Sequence, residues 1–468
     1  SECDGGGFPQ ALGPLVEPFV SLYTTEAVYL ENVNLIDPSV SLDASFPNST
    51  LVFQKGIITD VGYGETVPYP SGEYVRFDLA GHSVTPGIVG MHEHLFYPAK
   101  LPFPLYNAQV FSAPKLYLSR GVTTARTAGS MHPFVDLTLQ RAIVNHTQAG
   151  PRIFPTAPYL DGPASVIPQN NKLYTVPEAS EFVEYWVDEG FENFKAYQWI
   201  TRDVLGGAID AAHGRSVKVT GHLCAVTFQE AIDLGIDCLE HGLITATDFV
   251  SSKEPDVCPD ADLVTETFAS LDLGSDAVRS VVDSLVANNV AVTSTLAIFE
   301  TFVPGRPLPP AAALDAMLPQ AREQFLAAKQ AVDSDPTSSW TAAFANELAF
   351  ERQFVDAGGL LLVGCDPTGY GGVVAGFGDT RSVELLVEAG FSPLEAIGIA
   401  TVNGARYLGQ EECIGGLRPG MVADIVVYEG DPVLDITALE NVTTVVQNGV
   451  VYDPQKLVDA CHHDVSWI

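Results

Sequence analysis

The chain has 468 residues, 46% of them hydrophobic, and a formal net charge of −35 from 58 acidic against 23 basic side chains. That balance excludes a nucleic-acid footprint, which needs a basic face, and docking on anionic membranes, and no apolar run reaches the roughly 18–20 residues that cross a bilayer. It fits a very soluble protein, secreted or salt-adapted, and the length fits an α/β barrel carrying a smaller domain.

In chain order, residues 1–26 read as an arm, rich in Gly and Pro over the first 20. Short β-like runs follow at Val28–Leu35, Leu51–Val61 and Tyr74–Leu79. Similar runs return at Ile425–Tyr428 and Val442–Tyr452, where Asn448-Gly449 signals a hairpin. These ends predict one small β domain, a β-sandwich, from residues 27–82 and 411–468. Between them, residues 83–410 alternate strands and helices. Predicted strands run to His92/His94, then over Val122–Arg126, Ile153–Tyr159, Asn193–Tyr197, Val217–His222, Cys238–His241, Val290–Leu296 and Leu360–Asp366. Helical patterns occupy Thr201–His213, Thr227–Leu234, Asp276–Ala287 and Ala311–Val332. Eight such alternations predict a (β/α)8 TIM barrel, whose chemistry sits at the C-terminal strand ends.

The seven cysteines form no Cys-x-x-Cys pair, which argues against a cysteine zinc site. Cys3 and Cys461 lie near the two termini and are the expected disulfide, with Cys258 and Cys413 a second pairing option. Cys224, Cys238 and Cys365 read as buried thiols. Sequons stand at Asn48, Asn145 and Asn441, and the chain begins at Ser1 without Met. A removed signal peptide would explain that start, as would trimming. Together these signals lead us to expect a secreted, extracellular glycoprotein.

The chemistry begins at His92 and His94. On a strand, residues i and i+2 point the same way, so both imidazoles reach one point, and histidine is the commonest metal ligand. Lys195, His222, His241 and Asp366 each close a strand-like run of their own. Any one of them alone reads as a packed or paired core residue. Six at strand ends in this order point to a metal site. A buried lysine loses its charge more readily, and a neutral amine can take up carbon dioxide to give a carbamate that bridges two metals.

These residues lie within longer motifs: Gly81-His-Ser-Val-Thr-Pro-Gly-Ile-Val-Gly-Met-His-Glu-His94, Gly121-Val-Thr-Thr-Ala-Arg126, Phe194-Lys-Ala196, Gly221-His222 and Gly235-Ile-Asp-Cys-Leu-Glu-His-Gly242. Ala400-Thr-Val-Asn-Gly-Ala-Arg-Tyr-Leu-Gly409 and Gly415-Gly-Leu-Arg-Pro-Gly-Met-Val-Ala-Asp-Ile-Val-Val427 complete the set. Over about residues 27–455 the chain resembles the amidohydrolase superfamily, in its binuclear branch with a carboxylated lysine, closest to imidazolonepropionase-like and prolidase-like members. The resemblance implies that His92, His94 and Asp366 hold one divalent metal, most often zinc, and that His222 and His241 hold a second. Lys195, as N6-carboxylysine, bridges them, and Asp366 is the catalytic proton acceptor. Arg126-Thr127 and Tyr197-Gln-Trp depart from the Arg-Asp and Ser-Gly-Gly elements common in relatives, which leaves the substrate open. Tyr97, His132, Tyr159, Tyr197 and Tyr370 fall near strand exits and are candidate substrate contacts.

The expected activity is hydrolysis of an amide bond in a small molecule or peptide, of peptidase or N-acyl amino acid amidohydrolase type. The alternative is a deaminase or cyclic-amide hydrolase. Mononuclear deaminases usually place a glutamate soon after the fifth-strand histidine, and here Glu230 follows His222 only after seven residues. A non-catalytic metal-binding scaffold is the remote third reading. Relatives are commonly oligomers, which extends a homo-oligomer to this chain as an option.

Overall fold

The structure, a computed structural model, describes residues 3, 8–100, 104–368 and 371–466. The chain is α/β. Eight parallel strands carry its middle: β1 (Ile88–Glu93), β2 (Val122–Thr127), β3 (Arg152–Phe154), β4 (Asn193–Ala196), β5 (Lys218–Gly221), β6 (Cys238–Glu240), β7 (Ala291–Ser294) and β8 (Leu361–Val363). β1, β2 and β3 form one sheet, and β4 to β8 run in order in another, which starts with the short strands Asn171–Lys172 and Leu160–Asp161. Backbone hydrogen bonds join the two sheets at both seams. Ala157 N donates to Asn193 O at 2.9 Å, and Asp366 N donates to His92 O at 3.0 Å.

Both faces of these strands are covered, as parallel sheets require, so even Thr123, Thr124 and Thr127 of β2 are buried. Phe194, Val219, Leu239, Val292 and Leu361 are fully buried. Three of the helices around them start on reciprocal side-chain caps. Thr175 with Glu178, Thr227 with Glu230 and Ser392 with Glu395 each form a reciprocal capping box.

The two ends of the chain meet in a separate nine-stranded sheet. His82–Pro86 pairs antiparallel with Ile425–Glu429, so the sheet reaches four residues past the expected boundary at 82. The arm is not a free leader into this sheet: Val20–Leu22 pairs antiparallel with Val450–Tyr452 at its edge.

Several expectations are corrected. The run Leu51–Val61 is two strands, Phe46–Gln54 and Ile57–Gly62. Lys55 and Gly56 turn between them at φ 48° and 82°, the same left-handed pair as Asn448 and Gly449 at 51° and 75°. The third of these strands ends at Phe154 because Pro155 and Pro158 cannot donate to the ladder. The helix Ala311–Val332 breaks into Ala311–Ala316 and Pro319–Asp333, as a proline lacking its N–H starts a helix more readily than it continues one. The disulfides are Cys3–Cys413 and Cys224–Cys258, not Cys3–Cys461 or Cys258–Cys413. The arm carries Cys3 to the segment before Ile414, whereas Cys461 is a buried thiol against Ser112 O. Cys238 and Cys365 are buried free thiols, as expected.

Candidate metal centre

Both imidazoles of the His-x-His pair turn inward at the end of β1, and strand alternation sends Glu93 to the outer face. His92 is oriented from behind. Its Nδ1 lies 2.8 Å from Glu240 Oε2 on β6. A carboxylate only accepts, so Nδ1 carries the proton and Nε2 offers its lone pair to the cavity. Glu240 is held in turn by Arg126 Nη2 at 2.7 Å, and Arg126 Nε donates to Met91 O at 2.9 Å. All three side chains are fully buried. Such outer partners fix a ligand's tautomer and direction.

Around this point the structure gathers the other predicted residues. Lys195 Nζ is 3.1 Å from His92 Nε2. Asp366 Oδ1 lies 3.0 Å from His94 Nε2, and its Oδ2 lies 3.8 Å from His92 Nε2 and 3.7 Å from His241 Nδ1. His92, His94 and Asp366 each bring one ligand atom within 4.8 Å of the others. The His222 and His241 rings are 4.2 Å apart. His241 Nδ1 is 2.9 Å from Thr295 Oγ1. His241 and Asp366 both sit in left-handed backbone, at φ 75° and 49°, a conformation that costs a side-chain-bearing residue of order 1–3 kcal/mol.

Electrostatics match ligation. Burial, then the Lys195 charge, lowers His92 to about 4 and His222 to about 3. Burial also lowers His94 and His241. All four rings are therefore neutral at pH 7. Burial brings Lys195 down to about 8. It pushes Asp366 up, but His92, His94 and Lys195 outweigh it and hold the carboxyl at about 2. The donor set is nitrogen and oxygen, which suits zinc. Nδ1 of His94 and Nε2 of His241 are buried without a hydrogen-bond partner, a costly state that a cation would relieve. A ligating His222 Nε2 would have to give up its 2.9 Å contact with the Gln198 amide.

The six residues line a cavity of about 210 Å³. Tyr159 and Tyr197 also line it, as expected. Tyr97 does not. Strand alternation gives Phe96 to the cavity and turns Tyr97 away, its hydroxyl on Gly371 O. His132 lies behind the wall, its Nε2 3.0 Å from Tyr106 O, and the adjacent Met131 faces in. Tyr370 lies outside the described residues. Sequence reasoning missed Phe96, Tyr106, Phe299, Phe302 and Thr368 in the lining, and the orienting residues Glu240, Thr295 and Gln198. Glu240 and Thr295 stand one residue before the ends of predicted strands and were findable. Phe299 and Phe302 follow a strand in sequence that carries no chemical signature. A larger cavity, about 410 Å³, lies across the helix Leu296–Glu300 and contains no histidine.

Residues 352–452 match the model of the amidohydrolase family. The fold is similar to that of bottromycin amidohydrolase, with a TM-score of 0.72 at 22% identity, covering 97% of this chain and 95% of that one. It is also similar to a Xaa-Pro dipeptidase solved with methionine bound in its active site, with a TM-score of 0.67 at 20% identity, covering 92% of this chain and 100% of the other. A stretch of 87 residues, 19% of the chain, is 33% identical to the adenine deaminase of Paracoccus denitrificans and spans only 14% of that protein's length. The matched segment and the shared fold agree with the strand-end motifs: residues 352–452 are similar to the amidohydrolase family, and the chain shares the fold of these solved amidohydrolases.

Proposed function

We propose that the protein is a metal-dependent hydrolase of carbon–nitrogen bonds that cleaves an amide, in the manner of a peptidase or an N-acyl amino acid amidohydrolase. The observation that carries this is the convergence of His92, His94, Lys195, His222, His241 and Asp366 on one cavity at the ends of parallel strands. We take the two parallel sheets as one closed (β/α)8 barrel over residues 83–410, with the nine-stranded sheet as the small β domain. The hydrogen bonds at both seams support this.

His92, His94 and Asp366 would hold one divalent ion, and His222 and His241 a second. Ions so held supply a water of lowered pKa as nucleophile and polarise the scissile carbonyl. Lys195 is suited to the bridging role: its amine, neutral for part of the time near pH 8, forms an N–C bond with carbon dioxide and loses a proton. Asp366, ionised and at the cavity floor, accepts the proton of the attacking water as the C–O bond forms. It returns that proton to the leaving nitrogen as the C–N bond breaks. Arg126 and Glu240 keep His92 in its single useful tautomer throughout.

The adenine deaminase likeness favours a deaminase as the second reading. Metal analysis with intact mass separates the two: two ions per chain and a lysine heavier by one carbon dioxide support the hydrolase. One ion with an unmodified lysine supports the deaminase. Screening the zinc-loaded protein against acyl-amide and dipeptide libraries tests the activity itself. Absence of turnover throughout would favour the scaffold reading. Two disulfides support an oxidising, extracellular setting.

A further inference from the structure

Glu347 stands on the helix Trp340–Asp356, fully buried and outside the lining of the metal-site cavity. A carboxyl in such a place is costly unless its oxygens are hydrogen-bonded. Both oxygens of Glu347 accept from the main chain. Leu243 N donates to Oε1 at 3.3 Å, and Ile244 N donates to Oε2 at 2.8 Å. These amides belong to the short turn Gly242–Thr245, which begins one residue after His241. The first N–H groups of a helical turn have no partner inside it, so a side chain that takes two of them fixes where the turn sits.

The main chain is shaped to let this carboxyl in. His241 and Gly242 are both left-handed, at φ 75° and 70°. A Cβ at position 242 would stand 1.6 Å from Glu347 Oε1, so glycine is what leaves room for the contact. His241 does carry a side chain, and such a residue keeps a positive φ only where its surroundings over-determine it. They do so here from three directions. His241 N donates to Thr293 O at 2.8 Å. Its Nδ1 lies 2.9 Å from Thr295 Oγ1. Beyond it, Glu347 grips the turn. The imidazole so held keeps Nε2 buried without a hydrogen-bond partner, with its ring 4.2 Å from that of His222. Glu351, one turn further along the same helix, is equally buried, and the two amides go to Glu347 instead.

We infer that Glu347 is a positioning residue for His241: through the turn it holds, it aims that imidazole at the point shared with His222, where the second ion would sit. This rests on the two-ion reading and adds to it a residue that lies behind the ligands.

The test titrates the metal-free full chain with zinc against a competing chelator, with circular dichroism as the check on folding. His241→Ala identifies which of the two binding steps is the second ion. Glu347→Ala should weaken that step at least about tenfold and leave the other within about threefold. Glu347→Gln keeps one acceptor oxygen, enough for Ile244 but not for Leu243 as well, and should fall between Glu347→Ala and wild type. Wild-type affinity for both ions in Glu347→Ala overturns the inference. So does an equal loss at both steps, which is what a merely structural carboxyl would give. Glu351→Gln should leave both steps within about twofold; a loss at the second step matching that of Glu347→Ala would assign the effect to the helix and overturn it as well. If Glu347→Ala does not fold, Glu347→Gln decides: a second step weaker by about threefold or more, with the first unchanged, sustains the inference, and unchanged steps overturn it. A wild-type chain that holds one ion would sink the two-ion reading instead. Glu347 is then judged by the imidazole nitrogen shifts of the metal-free chain. A displaced His241 signal with His94 unmoved in the Glu347 variant sustains the inference, and an unmoved His241 overturns it.

Discussion

The ends of β1 and β8 carry two buried polar triads back to back, and only one faces a cavity. His92, His94 and Asp366 point inward, and Glu93, Cys365 and Asp379 lie on the outer side. Five of the six alternate along two short segments, so their separation is a product of the pleat alone. The inner triad meets histidines and a lysine. There Asp366 is held ionised, and His94 Nδ1 remains without a partner. The outer triad bonds mainly within itself. Cys365 Sγ donates to Glu93 Oε2 at 3.1 Å, and Gly376 N donates to Asp379 Oδ2 at 2.9 Å. Burial, then the neighbouring Asp379, pushes Glu93 well above the carboxylate range, so it keeps its proton. Ligand-type residues in close contact do not by themselves make a reactive centre. The cationic and imidazole company, with an opening to solvent, makes the difference.

The largest effect should come from the inner triad and the lysine it meets. Asp366→Asn and Lys195→Ala are each expected to lower kcat/KM at least about 10³-fold with the circular dichroism spectrum unchanged. Full rate in either variant would break the contrast at its root. Next, Glu240→Gln should weaken metal binding roughly 10–100-fold, because an amide has one acceptor oxygen for the two donors, His92 Nδ1 and Arg126 Nη2, and no charge to hold them. Titration with zinc against a competing chelator measures this. Smaller still, Cys365→Ser should leave metal content at the wild-type ratio and activity within about twofold, since the outer triad takes no part. A lost metal equivalent would mean that both faces bind cations.

The mildest effect concerns Glu351, a buried carboxyl on the helix Trp340–Asp356, raised by burial to about 8. Between the unfolded value near 4.5 and about 8, the unfolded chain releases a proton that the folded chain keeps. Stability therefore falls as pH rises through that window. Glu351→Gln should flatten the fall in denaturation midpoint from pH 5 to pH 8. An unchanged slope would show that Glu351 ionises freely in the fold.

The gathering of six polar residues on one cavity, and where most of the eight strands begin, were legible in the sequence for one reason. Parallel strands are buried on both faces, and a His, Lys or Asp at the close of such a run marks the point where chemistry begins. The third strand misled because its run crosses Pro155 and Pro158, and periodicity does not weigh missing donors. The cavity walls were largely illegible. Phe299 and Phe302 sit on a short helix and turn after β7, where an aromatic residue reads equally as core. Nearness to a strand exit does not separate Tyr97 from Phe96, because the strand's phase decides which of two neighbours faces in. The Cys3–Cys413 disulfide depends on where the arm is carried, and no local pattern encodes that path.

His241 and Asp366 hold their positions with positive φ, and glycine alone adopts that geometry without cost. Replacing either with glycine would relax the main chain while deleting a functional group. Selection for heat resistance alone would therefore favour erosion of the reactive centre, and survivors of such a screen should be sequenced at these two codons first. Robustness and reactivity pull against each other here at named torsions, which makes the trade-off something that can be measured residue by residue.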